Sequence, residues 1–226
     1  MARERDRAYE LWRQKWRDGD IPFHRDEIHP DLLNYGDRLL GGGPHRVLVP
    51  LCGKSPDLMW LAKRGHEVIG VEFVEDALLQ FFAEHELSPR AEPVDGLKMY
   101  RWENLTLVCG DIFEVDRSHV GEADRVWDRA ALIALPAHLR GDYTRHLRQI
   151  TSADWAMLLS AIEYDTALMS GPPFSVSEEE IRQSFPGSDV KRLATRDTLP
   201  HNPRMRARGH TWFRESTYLL RDGPAG

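Results

Sequence analysis

The sequence predicts an α/β protein with a mostly parallel β-sheet and helices on both faces. Two short apolar runs support this prediction: residues 47–49 lead into a turn at Gly53, and residues 68–71 lead to Glu72. A third run, residues 155–162, is apolar almost throughout, which is typical of a strand buried on both faces. Strand-like and helix-like segments alternate between these runs, so we expect a ligand cleft at the carboxyl ends of the strands.

The first half of the chain contains four predicted helices. Apolar residues share one helical face over residues 7–17, and Gly19 ends that pattern. A second helix begins after Pro30, because proline is favoured in a first helical turn. The third and fourth helices cover residues 57–64, with Gly65 as a left-handed cap, and residues 76–86.

The second half of the chain continues the alternation. Strands are predicted at residues 105–109, 123–127, 155–162 and 211–220, and helices at residues 136–150 and after Ser177. Ser177 precedes three glutamates, which predicts a helix N-cap with acidic residues in the first turn. No long linker interrupts the 226 residues, so we expect one domain that covers residues 1–226.

Composition excludes several classes of protein. The formal charge of −6 gives no general attraction to nucleic acid or to anionic lipid. No apolar run approaches the ~20 residues that span a bilayer, and the first residues lack the core of a signal peptide. Cys52 and Cys109 form no disulfide framework and lack metal-ligand spacing, so we expect reduced thiols in a cytoplasmic protein. The ten histidines are scattered, and we predict no metal site.

Glu72 lies 19 positions beyond Gly53, at the carboxyl end of the second predicted strand. An acidic side chain there can accept hydrogen bonds from both hydroxyls of a ribose. Gly53 is the one glycine in the first turn, whereas dinucleotide folds use several to approach a pyrophosphate. The pattern therefore favours S-adenosylmethionine, with Asp111 meeting the adenine amino group and Ile112 packing on the ring. The alternatives are a solvated turn residue for Glu72 and a helix cap for Asp111.

Six segments, in this order along the chain, resemble the thiopurine S-methyltransferase family. The most distinctive is Pro50-Leu51-Cys52-Gly53-Lys54. The matching segments are residues 12–16, 21–24, 49–58, 65–72, 128–132 and 171–175. The resemblance implies a Rossmann-like sheet of seven strands, with residues 1–40 forming a helical cap over the cofactor site.

The resemblance also implies a set of site residues. Those that contact S-adenosylmethionine or line its pocket are Trp16, Phe23, Leu51, Gly53, Glu72, Asp111, Ile112 and Arg129. Arg129 is the expected catalytic residue, beside the sulfonium or the substrate. Phe23 and a second arginine, Arg204 in preference to Arg206 or Arg208, are the expected substrate-binding residues. The segment from Thr198 to Arg208 departs from the family pattern.

The expected activity is methyl transfer from S-adenosylmethionine to the sulfur of a small aromatic or heterocyclic thiol, by a monomer that needs no metal. Other acceptors stay open: selenium or tellurium species, halide, or aliphatic thiols. A non-catalytic module that senses S-adenosylmethionine is a rival from another class. An NAD-dependent dehydrogenase is disfavoured, because the first turn lacks the remaining glycines.

Overall fold

The computed structural model describes the backbone of residues 2–223 and the side chains of residues 9–223. The helices are α1 (Ala2–Asp18), α2 (Pro30–Leu40), α3 (Asp57–Lys63), α4 (Glu75–Glu84), α5 (Arg117–Val120), α6 (Ala137–Ile150), α7 (Glu178–Ser184) and α8 (Pro203–Ala207). The strands are β1 (Arg46–Pro50), β2 (Glu67–Glu72), β3 (Arg90–Val94), β4 (Leu97–Trp102), β5 (Leu105–Cys109), β6 (Ala123–Arg129), β7 (Thr151–Glu163), β8 (Ser188–Asp197) and β9 (Arg214–Asp222).

All of these strands join one sheet in the order β3-β4-β5-β2-β1-β6-β7-β9-β8. The five central strands, from β5 to β7, run parallel to one another. The strands outside them pair antiparallel on both sides. The α/β class with a parallel centre is therefore confirmed, and the carboxyl ends of the five central strands open on one edge of the sheet.

The predicted strand number of seven is wrong, because the described part of the chain contributes nine strands. The sequence interpretation missed β3, β4 and β8. All three lie at or near a sheet edge and alternate polar with apolar residues, so they lack a continuous apolar run. The turn between β3 and β4 is Asp95-Gly96, with positive φ at both residues, which is a hairpin signal that the sequence does contain.

Most predicted boundaries agree with the observed elements. Pro30 occupies the first turn of α2, Gly65 has φ +86°, and the Ser177 hydroxyl accepts a hydrogen bond from the Glu180 N–H. The last strand begins at Arg214 rather than at residue 211, because Trp212 and Phe213 still belong to the preceding loop.

Two apolar layers cover the faces of the central strands. Leu48, Val126 and Leu159 belong to one buried cluster, while Val49 and Trp127 belong to the other. Successive residues of a strand point to opposite faces, so the buried middle of each of these strands carries apolar residues for both layers. Because both faces of the central strands are packed, these strands are held in place. The residues at their carboxyl ends therefore have defined positions.

Candidate active site

The turn after β1 folds back against the end of β2. The Cys52 N–H donates to the carbonyl oxygen of Val71 at 2.9 Å, and the Gly53 N–H donates to Oε2 of Glu72 at 3.0 Å. Leu51 and Gly53 both have positive φ, 48° and 52°. A Cβ atom on Gly53 would lie 3.0 Å from the Trp16 ring, so the absence of a side chain allows the indole to pack on this turn.

Glu72 is buried, with 5% of its surface exposed, and its carboxylate is held by two backbone groups. Oε2 accepts from Gly53, and Oε1 accepts from the Val74 N–H at 2.9 Å. Burial raises the pKa of Glu72 to about 7, although backbone hydrogen bonds, those from Val74 and Gly53 among them, act in the opposite direction. The carboxylate therefore has a fixed position before any ligand arrives.

Asp111 follows β5 and caps a single turn of 3₁₀ helix, Ile112–Glu114. Its side chain accepts a hydrogen bond from the Phe113 N–H at 3.0 Å. The helix cap that the sequence left open as an alternative is therefore present. The hydroxyl of Tyr9, from α1, donates to the other carboxylate oxygen, so α1 reaches the residue that was expected to meet the adenine amino group.

A cleft lies between α1 and the carboxyl ends of β2 and β5, and the space in it that a water-sized molecule can reach is about 40 Å³. Four of the predicted cofactor residues line it: Leu51, Glu72, Asp111 and Ile112. Sequence reasoning missed other lining residues, including Tyr9, Trp12, Phe73, Leu135 and Leu139. The aromatic face of the predicted first helix, with Tyr9 and Trp12, was the available signal for two of them.

Trp16 and Phe23 stand beside this cleft rather than in its lining. Their rings meet edge to face with centroids 5.8 Å apart, and Phe23 also meets Trp12 at 5.2 Å. Trp16 is buried against Gly53. The structure thus brings Trp16, Phe23 and Gly53 together as one wall, which connects α1 to the turn after β1.

Arg129 is the last residue of β6 and pairs across the sheet with Ser160 of β7. Burial lowers the pKa of Arg129, and the charges of Asp57 and Glu215 act in the opposite direction. Among the side chains that the structure describes, no carboxylate lies within ion-pair distance of its guanidinium. A partly buried cation without a direct counter-ion favours an anionic ligand, because removing a charge from water costs free energy unless another charge compensates it.

The three candidate arginines near the last strand have different surroundings. Arg204 is exposed on α8, and its Nη1 lies 3.8 Å from Oδ1 of Asp20, in the segment between Trp16 and Phe23. Arg206 donates to the carbonyl oxygen of Pro200 at 2.6 Å. Arg208 is exposed and follows α8. Arg204 thus contacts the amino-terminal segment that carries Phe23.

A charged cluster that the sequence interpretation missed lies near Arg129. His29 Nε2 is 3.2 Å from Oε1 of Glu215, and the ligand atoms of His29, Asp31 and Glu215 lie within 4.8 Å of one another, a spacing compatible with a metal ion. The Arg196 guanidinium contacts Asp31 at 2.5 Å and Glu215 at 3.5 Å and so supplies positive charge to the cluster. Its members come from three distant segments, so no local motif announces it.

Comparison with known proteins gives the fold and the family. The family model for thiopurine S-methyltransferase matches residues 7–223. A thiopurine S-methyltransferase from Pseudomonas aeruginosa is 41% identical over 215 residues, which is 95% of this chain and 99% of that relative. The structure of 1,6-didemethyltoxoflavin-N1-methyltransferase from Burkholderia thailandensis, with bound 1,6-didemethyltoxoflavin and S-adenosylhomocysteine, aligns with a TM-score of 0.65 at 18% identity, over 99% of this chain and 91% of that one.

A second solved structure has the same fold. Magnesium protoporphyrin IX methyltransferase from Synechocystis, with bound S-adenosylhomocysteine, aligns with a TM-score of 0.60 at 15% identity, over 94% of this chain and 99% of that one. The family model and the 41% identical relative, together with this fold, therefore define an S-adenosylmethionine-dependent methyltransferase.

The chain belongs to the thiopurine S-methyltransferase family. It is an enzyme that takes S-adenosylmethionine as methyl donor and a small molecule as substrate. Each helix in the described part of the chain is too short or too polar to cross a lipid bilayer.

Proposed function

We propose that this enzyme transfers a methyl group from S-adenosylmethionine to the sulfur of a small aromatic or heterocyclic thiol. One observation carries the proposal: Arg129, at the carboxyl end of β6, has no direct counter-ion among the described side chains. An aromatic thiol is largely ionised near neutral pH, and a guanidinium can bind its thiolate by a charge-assisted hydrogen bond. The names of the relatives, thiopurine S-methyltransferases, support the same acceptor class.

The donor site in this proposal is the cleft beneath α1. The Glu72 carboxylate is already oriented by two backbone N–H groups and would accept from the ribose hydroxyls. Leu51 and Ile112 offer apolar surface, and Asp111 would receive the adenine amino group in place of the Tyr9 hydroxyl. Bound S-adenosylmethionine supplies an electrophilic methyl group on a positively charged sulfur.

The wall formed by Trp16, Phe23 and Gly53 would complete the donor site and exclude water from it. In this proposal residues 1–40 act as a helical cap on a single domain. The contacts of α1 with the cleft support this arrangement.

The acceptor side of the proposal rests on Arg129, Phe23 and Arg204. Arg129 would orient the sulfur and compensate its charge, so the reaction needs alignment rather than a strong base. Phe23 offers an aromatic surface to a ring-containing acceptor. Arg204 is close enough to the segment before Phe23 to meet an acceptor that carries a second anionic group.

The test is mass analysis of 2-nitro-5-thiobenzoate and of 6-mercaptopurine after incubation with the enzyme and S-adenosylmethionine. We expect an S-methyl product, and we expect Arg129→Ala to lower kcat/KM by about 100-fold. Donor affinity, measured by calorimetry, should stay within about threefold. Arg145→Ala removes an exposed arginine on α6 and is the matched control.

The same panel separates the alternatives. Methylation of selenite, tellurite, iodide or an aliphatic thiol, without methylation of either aromatic thiol, would replace the proposed acceptor. Donor binding without transfer to any acceptor would favour a sensing module. The proposal also includes a monomer in the cytoplasm that does not bind nucleic acid. The charge of −6 supports the absence of nucleic-acid binding, and the two free cysteines support the location.

A further inference from the structure

Glu215 lies near Arg129 because of the register of three strands. Arg129 of β6 pairs with Ser160 of β7, and the Ser160 hydroxyl lies 3.4 Å from Oε1 of Glu215 in β9. Residues that pair directly across a sheet place their side chains on the same face. Arg129, Ser160 and Glu215 therefore occupy one face of the sheet at its carboxyl edge.

The Glu215 carboxylate is held from several directions. Oε1 lies 3.2 Å from Nε2 of His29, and Oε2 lies 3.5 Å from Nη2 of Arg196. Nδ1 of His29 accepts a hydrogen bond from the Asp31 N–H, so Nε2 is the nitrogen that carries a proton toward Glu215. The side chain of Glu215 keeps 21% of its surface exposed, so it is not fully removed from solvent.

Glu215 and Arg129 act on each other electrostatically. Burial raises the pKa of Glu215, but the hydrogen bond from His29 and the charges of Arg196 and Arg129 bring that pKa to about 2. Glu215 is therefore ionised throughout the neutral range, and its charge favours the charged form of Arg129.

Asp57 is the other carboxylate that acts on Arg129, and its two oxygens have separate roles. Oδ1 accepts from the His29 N–H and Oδ2 accepts from Nε1 of Trp127, both at 2.8 Å. These bonds join α3 to the segment before α2 and to the core. Glu215, by contrast, is partly exposed and lies on the same face of the sheet as Arg129.

We propose that Glu215 is a positioning residue: its carboxylate, fixed by Ser160, His29 and Arg196, attracts the Arg129 guanidinium from beyond ion-pair distance and so orients it at the carboxyl end of β6, where the acceptor binds. This inference rests on the proposed role of Arg129. Glu215 need not touch the acceptor, because Arg196 already compensates its charge and His29 donates a hydrogen bond to it. The arrangement would also link the segment before α2 to the acceptor side of the cleft.

The test is a double-mutant cycle with Glu215→Gln and Arg129→Ala. We expect Glu215→Gln to lower kcat/KM for 2-nitro-5-thiobenzoate by about tenfold, with donor affinity unchanged within about twofold. In the Arg129→Ala background the same substitution should change kcat/KM by less than about twofold. A tenfold loss of kcat/KM from Glu215→Gln in the Arg129→Ala background would overturn the proposal. So would the absence of any loss when Glu215→Gln is made in the wild-type enzyme.

Matched variants distinguish a positioning role of Glu215 from a general disturbance of the fold. Glu163→Gln removes a carboxylate at the end of β7, outside the cluster, and should leave kcat/KM within about twofold. Glu215→Asp keeps the charge and should recover most of the loss. If Glu215→Gln does not fold, Ser160→Ala takes its place, with an expected loss of about threefold that again disappears with Arg129→Ala.

A measurement without turnover distinguishes failure of this inference from failure of the proposed function. The Nε–Hε NMR signal of Arg129, assigned with Arg129→Lys, should shift or broaden in Glu215→Gln but not in Glu163→Gln. An unchanged signal overturns the positioning role. If the wild-type enzyme methylates no thiol, the proposed acceptor is wrong, whereas a changed signal would still support the electrostatic interaction between the two residues.

Discussion

The Glu72 carboxylate accepts a hydrogen bond from the backbone N–H of Gly53 at 3.0 Å, and this bond joins the end of β2 to the turn after β1. A second bond, from the Val74 N–H, fixes the other oxygen. The Glu72 carboxylate and the turn at Gly53 therefore have fixed positions in the cleft before a ligand binds. A preorganised acceptor loses less entropy on binding than a mobile one.

The first prediction concerns donor affinity. We expect Glu72→Gln to weaken S-adenosylmethionine binding by about 10- to 100-fold, since hydrogen bonds to a charged group contribute about 1.5–3 kcal/mol. Calorimetry with the purified variant measures the change. Glu67→Gln, at the exposed start of the same strand, is the control and should bind as the wild type does. Equal affinities for all three proteins would contradict the proposed ribose contact.

The second prediction concerns the pH dependence of stability. Burial raises the pKa of Glu72 from 4.5 to about 7, so the folded state binds this proton more tightly than the unfolded state. The resulting stabilisation is complete below pH 4.5 and is lost as the pH rises through about 7. The free energy of unfolding should therefore fall across this window by about 3 kcal/mol through this group.

Urea denaturation at pH 5 and pH 8 measures this effect. Glu72→Gln should lose less stability between the two pH values than the wild type. Asp128, whose pKa burial raises from 3.8 to about 6, contributes in the same direction at lower pH and is present in both proteins. Identical losses in Glu72→Gln and wild type would refute the assignment to Glu72.

The third prediction concerns Gly53. Its φ of +52° costs an alanine about 1–2 kcal/mol, and the added Cβ would lie 3.0 Å from the Trp16 ring. We expect Gly53→Ala to destabilise the protein and to change the fluorescence of Trp16. Gly42→Ala is the control, because a Cβ there meets nothing within 4 Å and the φ of Gly42 is not positive. Similar denaturation curves for both variants would argue against strain at this turn.

The fourth prediction concerns a buried pair behind the acceptor side. The Tyr143 hydroxyl donates to Oδ2 of Asp128 at 2.7 Å, and both side chains are buried. Tyr143→Phe leaves that oxygen without its partner, which should cost about 1–3 kcal/mol in urea denaturation. Tyr35→Phe, at a partly buried position on α2, should cost less than about 0.5 kcal/mol. A loss for Tyr143→Phe no larger than this control would show that the bond contributes little.

Local sequence patterns were sufficient to predict the strands at the centre of the sheet. The strands β1 and β2 contain short apolar runs, Gly53 lies in the turn after β1 and Glu72 ends β2, so the sequence predicted both residues at one edge of the sheet. Strands β3, β4 and β8 escaped prediction because edge strands face water and keep polar residues.

The residues of the candidate site also divide into those that the sequence predicts and those that only the tertiary structure brings together. Glu72, Asp111 and Ile112 line the cleft as their positions at the ends of strands implied, and Leu51 lines it as the family resemblance implied. The contact of Tyr9 with Asp111 joins residues 102 positions apart, and no periodicity in the sequence encodes it. Trp16 and Phe23 were predicted to line the cofactor pocket, and in the structure they pack on each other beside it, with Trp16 also against Gly53.

The sequence by itself determined the parallel centre of the sheet, the turn at Gly53 and the acidic group at the end of β2, because each depends on hydrophobic periodicity and on residues close in the chain. Only the tertiary structure decided which charges meet. The cluster of His29, Asp31, Arg196 and Glu215 forms where the segment before α2 packs against β8 and β9. The strength of an electrostatic interaction depends on the distance between the charged groups and on their burial. The register of the strands and the packing of the segment before α2 set both for this cluster.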